Sequence, residues 1–218
     1  MANKDYSFRQ ILEIEACTNC QICANVCPAV TAAGDGELSA VYRIDGIRKI
    51  LKSRSRLRRL FRANELSQEQ WNQYSDTVFR CTLCGNCQEV CPVGINLKDL
   101  WLSLRQDLVH TDVHPKKLKR VRENLDDEHN VFGEDNEERM EWVEDMRDPP
   151  DDEFLKDKAE VVYFTGCVAA YFPVAQKIPI ALAEIMTSCQ VVFTLLGEDE
   201  WCCGFPLLGA GMPEALQG

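Results

Sequence analysis

Eight of the twelve cysteines in this chain of 218 residues fall in two copies of one phrase. "CTNCQICANVCP" covers residues 17–28 and "CTLCGNCQEVCP" covers 81–92, so each run reads C-x2-C-x2-C-x3-C-P. Any fold for this chain has to find a use for four thiols within eleven positions, twice. Thiols two residues apart are poorly placed to bridge one another, because a disulfide needs particular Cα and Cβ separations. The first seventeen residues, "MANKDYSFRQILEIEAC", hold no apolar stretch of signal-peptide length. A reducing, cytoplasmic setting is therefore expected. Soft thiolates at such gaps suit a metal centre. Zinc sites more often pair two C-x2-C knuckles. A run of three evenly spaced cysteines ending in C-P instead suits a [4Fe–4S] cube, which takes one thiolate per iron.

In two-cluster ferredoxins the fourth cysteine of each run ligates the other cube. On that pattern, Cys17, Cys20, Cys23 and Cys91 are expected to hold one cluster. Cys81, Cys84, Cys87 and Cys27 are expected to hold the second. Pro28 and Pro92 fix φ after the fourth cysteine and remove a backbone donor, turning the chain away. The 53 residues between Cys27 and Cys81 carry helical periodicity rather than a short turn. This resembles the alpha-helical ferredoxin domains of several anaerobic oxidoreductases and of succinate dehydrogenase iron–sulfur subunits. The latter use altered cysteine spacings that are not seen here.

Helix signals surround the two runs. Ser7 with Gln10, and Ser67 with Gln70, form capping-box patterns. The first precedes Phe8, Ile11 and Leu12, and the second precedes Trp71, Tyr74 and Val78. Residues 41–63 place Ile44, Ile47, Leu51, Leu57, Leu60 and Phe61 near helical spacing. Asn96 can cap a helix striped by Leu97, Leu100, Trp101, Leu104 and Leu108. The charge is uneven: the net charge is −11, yet residues 43–62 hold nine Arg and Lys against Asp45 alone. Residues 123–160 hold seventeen acids against four bases. The basic run reads equally as a docking surface or as a solvated face that offsets thiolate charge. The expected domains are a two-cluster ferredoxin domain over 1–115, a charged acidic linker over 116–158, partly helical around 137–146, and a second domain over 159–218.

That second domain begins as a β-α-β unit: the strand "VVYF", the helix "KIPIALAEIMTSC" and the strand "QVVFTLL". Cys167 lies in "TGC" after the first strand, and Cys202–Cys203 lie in "EWCCGFPLLGAG" after the second. A single cysteine followed by Cys-Cys-Gly after 34 intervening residues resembles the CCG cysteine-rich module of heterodisulfide reductases. Together with "GIRKILKSR" and "FRCTLCGNCQEVCPVGI", the resemblance covers most of the chain outside 123–158. It looks like the fused C- and B-type arrangement of the D-type heterodisulfide reductase subunits. The fold class expected is thus mainly α, with two cubane clusters, followed by the start of an α/β CCG domain.

In that family the complete module adds a C-x2-C pair and holds an unusual noncubane [4Fe–4S] cluster. The chain shows no such pair after Cys203, so either it is a fragment of a longer protein, or a partner completes the site, or the module is empty; "GMPEALQG", which reads as the opening of a helix, favours the first. Cys167, Cys202 and Cys203 are then candidate ligands of an incomplete third site, filled only if the module is completed. Cys189 fits no motif and is expected to be a buried apolar thiol. His110 and His114, at i and i+4, have no matching partner and read as helix-end residues.

A net-acidic chain does not look like a nucleic-acid binder. No apolar run approaches the roughly 20 residues that span a bilayer. No G-x-G-x-x-G follows a strand, so neither a flavin nor a nicotinamide site is expected. What the resemblance implies is an electron-transfer subunit of an oxidoreductase complex. Its partners would be a flavin-containing or B-type CCG subunit, with membrane attachment only through a membrane subunit. The alternatives are an iron–sulfur subunit of a glycerol-3-phosphate, glycolate or lactate dehydrogenase, or a catalytic disulfide or thiol reductase built on the CCG module.

Overall fold

A computed structural model describes residues 6–53, 67–150, 152 and 154–216. It is mainly helical and divides into two compact units, residues 1–116 with 207–218, and residues 117–206. The basic half of the expected helix over 41–63, beyond residue 53, lies outside the described residues.

In the first unit, α1 (Phe8–Ala16) starts on a reciprocal capping box. Gln10 N donates to Ser7 Oγ at 3.2 Å and Ser7 N to the Gln10 side chain at 2.8 Å. The buried stripe of α1 runs through Ile11 and Ile14, while Phe8 and Leu12 face solvent. Cysteine-bearing α2 (Ile22–Asn25) leads into α3 (Pro28–Ala33), and Pro28 occupies its first turn, where its missing N–H leaves nothing unsatisfied. Helix α4 (Ala40–Ser53) buries Ile44, Ile47 and Ile50. Helix α5 (Gln68–Phe79) carries the second capping box, Ser67 with Gln70, and buries Tyr74 and Val78. After α6 (Asn86–Glu89), Asn96 caps α7 (Leu97–His110). All five residues of the expected stripe, Leu97, Leu100, Trp101, Leu104 and Leu108, are buried in one core with α1, α4 and α5.

Gly46 shows how tightly this core is drawn. A Cβ there would overlap the Tyr74 ring, whose hydroxyl donates to the Arg43 carbonyl at 2.7 Å. Only glycine lets α4 and α5 approach this closely.

The second unit is built on the stretch whose acids suggested a linker. Helix α8 (Lys117–Glu128) leads to a loop organised by the buried Asn130, whose side chain accepts from the amides of Phe132, Gly133 and Glu134. The 3-10 segment Asn136–Val143 then supplies Trp142 and Val143 to a core with Met146, Phe154, Ala183, Phe193 and Leu195. The stretch holds few apolar anchors: Trp142, Val143, Met146 and Phe154 are buried, while Phe132 and Leu155 stay exposed. Strands β1 (Val161–Val162) and β2 (Phe193–Thr194) pair in parallel, Val161 beside Phe193, across α9 (Cys167–Tyr171) and α10 (Lys177–Ser188). The β-α-β reading holds, with strands of two residues each. Helix α11 (Phe205–Ala210) and a 3-10 turn (Pro213–Leu216) close the described chain.

Candidate iron–sulfur sites

The two cysteine runs fold alike because they repeat the same backbone moves. The second and fourth residues after the first cysteine are left-handed in both: Asn19 and Gln21 in one, Leu83 and Gly85 in the other. Each left-handed pair swings the chain around and starts a four-residue helix, α2 or α6, and these helices pack on each other. The result is two cavities, each taking three cysteines from one run and the fourth from the other. Cys17, Cys20, Cys23 and Cys91 line a cavity of about 360 Å³. Cys81, Cys84, Cys87 and Cys27 line another of about 370 Å³. Cys20 and Cys84 are exposed, and the other six are half-buried.

Two of these thiols, Cys23 and Cys87, resist ionisation. Burial first, then the neighbouring Cys87, Cys17 and Cys20, push the Cys23 thiol up to about 11. Burial also raises Cys87, opposed by the Trp101 indole N–H and the Arg43 guanidinium. Thiolates gathered like this need a cationic centre to offset them. The walls suit an anionic, sulfur-rich group. Arg43 Nε is buried in the second cavity's wall with no hydrogen-bond partner, and the buried Trp101 indole N–H stands beside Cys87. Among the described residues, no three His, Cys, Asp or Glu side chains are gathered tightly enough to hold a single metal ion. Four thiols spread around each cavity fit a group broader than one ion, and a cube with one thiolate per corner is such a group.

Two arginines hold the runs in place. Arg48 Nη2 donates to the carbonyls of Ile14 at 2.7 Å and Cys17 at 2.8 Å, capping the end of α1 and the first cysteine together. Arg105 does the same for the second run, donating to Val78 O at 3.2 Å and Cys81 O at 2.5 Å at the end of α5. Burial lowers Arg105, and the neighbouring Cys81 raises it. Neither arginine was singled out from sequence. They lie 31 and 24 residues from the cysteines they hold, so spacing gives no hint of the contact.

In the second unit the structure brings Cys167 and Cys202 together, with Cys203 beside them at the surface. Burial is the main cause lifting Cys202 to about 12, and Cys167 and Cys203 add to it against the Gly204 N–H. A buried ion pair shapes this corner. Arg139 Nη1 donates to Glu200 Oε1 at 2.7 Å, and both side chains are 2% exposed. Glu200 also accepts from the amides of Thr165 and Gly166, each at 2.8 Å, which fixes the loop entering Cys167. Arg139 Nη2 reaches Cys167 Sγ at 3.8 Å. Sequence reasoning passed over Arg139 because it lay in the supposed linker. A base among so many acids, one of four against seventeen over 123–160, was the available signal. Trp201 stacks on His129 at 3.9 Å beside Cys202, whose amide donates to the His129 carbonyl.

Cys189 is exposed, not buried as expected. It caps α10 after the buried Pro179 and Ala183 have passed, so no apolar face remains to cover it. His110 lies 3.6 Å from Glu214, and His114 Nδ1 lies 4.0 Å from Asp112, so each histidine has its own acidic neighbour.

Residues 13–95 match the 4Fe-4S dicluster domain, and residues 161–217 match the cysteine-rich CCG domain. The chain is 36% identical over 211 residues to the D-type subunit of the dihydromethanophenazine:CoB–CoM heterodisulfide reductase of Methanosarcina mazei, covering 95% of this chain and 50% of that one. It is 24% identical to the probable iron-sulfur-binding oxidoreductase FadF of Bacillus subtilis, over 90% of this chain and 33% of that one. It is 22% identical to the EtfAB:quinone oxidoreductase of Syntrophomonas wolfei, over 92% and 32%. The chain thus spans about half the length of the heterodisulfide reductase subunits it matches. No solved structure matches it. Among the described residues, no helix is long and apolar enough to cross a membrane. The chain thus joins a 4Fe-4S dicluster domain to a CCG domain and is similar over nearly its whole length to the D-type subunits of heterodisulfide reductases.

Proposed function

We propose that this chain is an electron-transfer subunit carrying two [4Fe–4S] clusters. One is held by Cys17, Cys20, Cys23 and Cys91, the other by Cys81, Cys84, Cys87 and Cys27. The observation that carries the reading is the crosswise lining of the two cavities, three cysteines from one run and one from the other in each. The clusters, when bound, supply one-electron redox chemistry. The chain's own residues present thiolates, exclude water with the core of α4 and α7, and hold the runs in register through Arg48 and Arg105. The exposed Cys20 and Cys84 put one corner of each site at the surface, where electrons can enter and leave.

The expected destination is a CCG-type catalytic site in a complex with flavin-containing, B-type or membrane subunits, at the cytoplasmic side. In domain terms residues 1–115 carry the relay and 159–218 begin the CCG module, with the acidic stretch 116–158 between them. Cys167, Cys202 and Cys203 supply three thiolates toward a third cluster, and a fourth donor would have to complete it. Iron and acid-labile sulfide on anaerobically purified protein test the reading. About eight irons per chain, with magnetically coupled signals on reduction, are expected. Bound zinc with little iron would refute it, and about twelve irons would mean that the third site is assembled.

A further inference from the structure

The two cavities are close in volume and in cysteine content, yet their walls differ in charge. Helix α4 lies along both. Its residues Ala40 and Arg43 line the cavity of Cys81, Cys84, Cys87 and Cys27, while Val41 and Ile44 line that of Cys17, Cys20, Cys23 and Cys91. Helix α7 repeats the division, giving Trp101 to the former and Leu97 to the latter. One cavity therefore meets a guanidinium and an indole N–H. The other meets aliphatic side chains from the same two helices.

Arg43 is 1% exposed, and among the described residues no carboxylate pairs with it. Its Nη2 donates to the Leu38 carbonyl at 2.6 Å, its guanidinium lies 5.4 Å from the Trp101 ring centroid, and its Nε has no partner. A buried cation left this way is costly unless an anion stands near it. Arg105, on the Cys81 carbonyl, donates to carbonyls and lies over the Phe79 ring, and among the described residues no carboxylate pairs with it. Arg48, the cation near the other cavity, shares its charge with Asp45 at 3.2 Å. Asp107, the buried carboxylate among this unit's described residues, lines neither cavity and accepts from Tyr6 Oη at 3.3 Å.

We propose that Arg43, seconded by Trp101, makes the cluster of Cys81, Cys84, Cys87 and Cys27 the one with the higher reduction potential, so that electrons run toward it from its neighbour. The inference rests on the two-cluster reading above. Each couple takes up one electron and gains one negative charge. A fixed cation in a low-dielectric wall stabilises that charge, and an aliphatic wall does not. Arg43 Nε, left without a partner, and the Trp101 N–H beside Cys87 are both available to sulfur, which acts in the same direction.

The test is a potentiometric titration of the whole chain, reduced with dithionite in the presence of mediators and followed by EPR. Two one-electron waves are expected. Cys84→Ser should perturb the signal of the higher wave. Arg43→Gln should cut the reduced-to-oxidised ratio of that wave at least tenfold at fixed potential, about 59 mV, and move the other wave less. Arg43→Lys keeps the charge and should move it less than Arg43→Gln does, and Trp101→Phe should lower it modestly. If Arg43→Gln fails to take up iron, the Lys and Phe variants carry the same comparison. Coincident waves, a Cys84→Ser effect on the lower wave, or equal shifts of both waves would overturn the proposal. A wild-type chain with far fewer than about eight irons would instead sink the two-cluster reading itself, so the two failures are distinguishable.

Discussion

Breaking the Arg139–Glu200 pair should loosen the loop that carries Cys167. Both side chains are 2% exposed and their charged atoms meet at 2.7 Å. Removing one member of a buried pair leaves the other charge uncompensated, at a cost of about 3–5 kcal/mol. The structure says which end of that range each variant takes. In Arg139→Met, Glu200 keeps the Thr165 and Gly166 amides as donors, so the cost should sit near about 3 kcal/mol. In Glu200→Leu, two half-buried amides and a buried guanidinium all lose their acceptor, which pushes the cost toward about 5 kcal/mol. The double variant Arg139→Met/Glu200→Gln removes both charges and leaves an acceptor for the amides. It should cost less than the sum of Arg139→Met and Glu200→Gln alone. Amide hydrogen exchange of the peptide spanning 160–172 reads this locally, where a global unfolding curve of a two-unit protein would not. About 3 kcal/mol corresponds to more than a hundredfold faster exchange at Thr165 and Gly166. Exchange unchanged in Arg139→Met, or strictly additive effects in the cycle, would refute the argument.

Gly46→Ala should destabilise the first unit by about 1–3 kcal/mol, seen as a lower Tm, because the new methyl overlaps the Tyr74 ring. Gly85→Ala should cost roughly 1–2 kcal/mol through its left-handed backbone, while Gln21→Gly, at the matching place in the first run, should be neutral or stabilising; denaturation of the two variants compares them directly. Cys91→Ser should alter the EPR signal of the cluster on Cys17, Cys20 and Cys23, and Cys27→Ser that of the other; the reverse assignment would contradict the crosswise lining. The Tyr171 phenol, whose hydroxyl meets Asn136 Oδ1 at 3.1 Å, is pushed up to about 12, chiefly by burial. Its folded value lies above the unfolded one. The stability it contributes is therefore present below about pH 10 and is lost as pH climbs toward about 12. Phenolate absorbance should show a late step that Tyr171→Phe removes.

The periodicity of α7 and the two capping boxes were legible because they are local: every partner lies within a turn or two. The left-handed residues of the cysteine runs were not. Gly85 hints at such a turn, but Gln21 stands where the same conformation is needed and carries no sequence mark of it. Ranking α1 by apolar spacing favoured Phe8, Ile11 and Leu12, yet of these only Ile11 packs on the core, and Ile14 is the fully buried residue. The helix is short, and its buried face is set by what α4 and α7 present to it. The acidic stretch misled for a related reason. Counting charges hid the few residues, Arg139, Trp142, Val143 and Phe154, that the fold buries. Local composition records how much of a segment is solvated, and says little about the few side chains that hold it down.

The crosswise lining also bears on how such a chain assembles. Neither cavity can be completed within its own run, because Cys27 and Cys91 each serve the run that lies 54 or more residues away in sequence. The closing of each site therefore depends on α2 packing against α6, and on α4 and α7 being in place behind both. Thiols raised by burial and by one another disfavour that closed state until a cationic centre arrives. Binding energy at either site then stabilises the packing that both require. The two sites should fill cooperatively. A substitution that weakens one, Cys91→Ser or Cys27→Ser, should lower iron occupancy at the other as well as change its own signal.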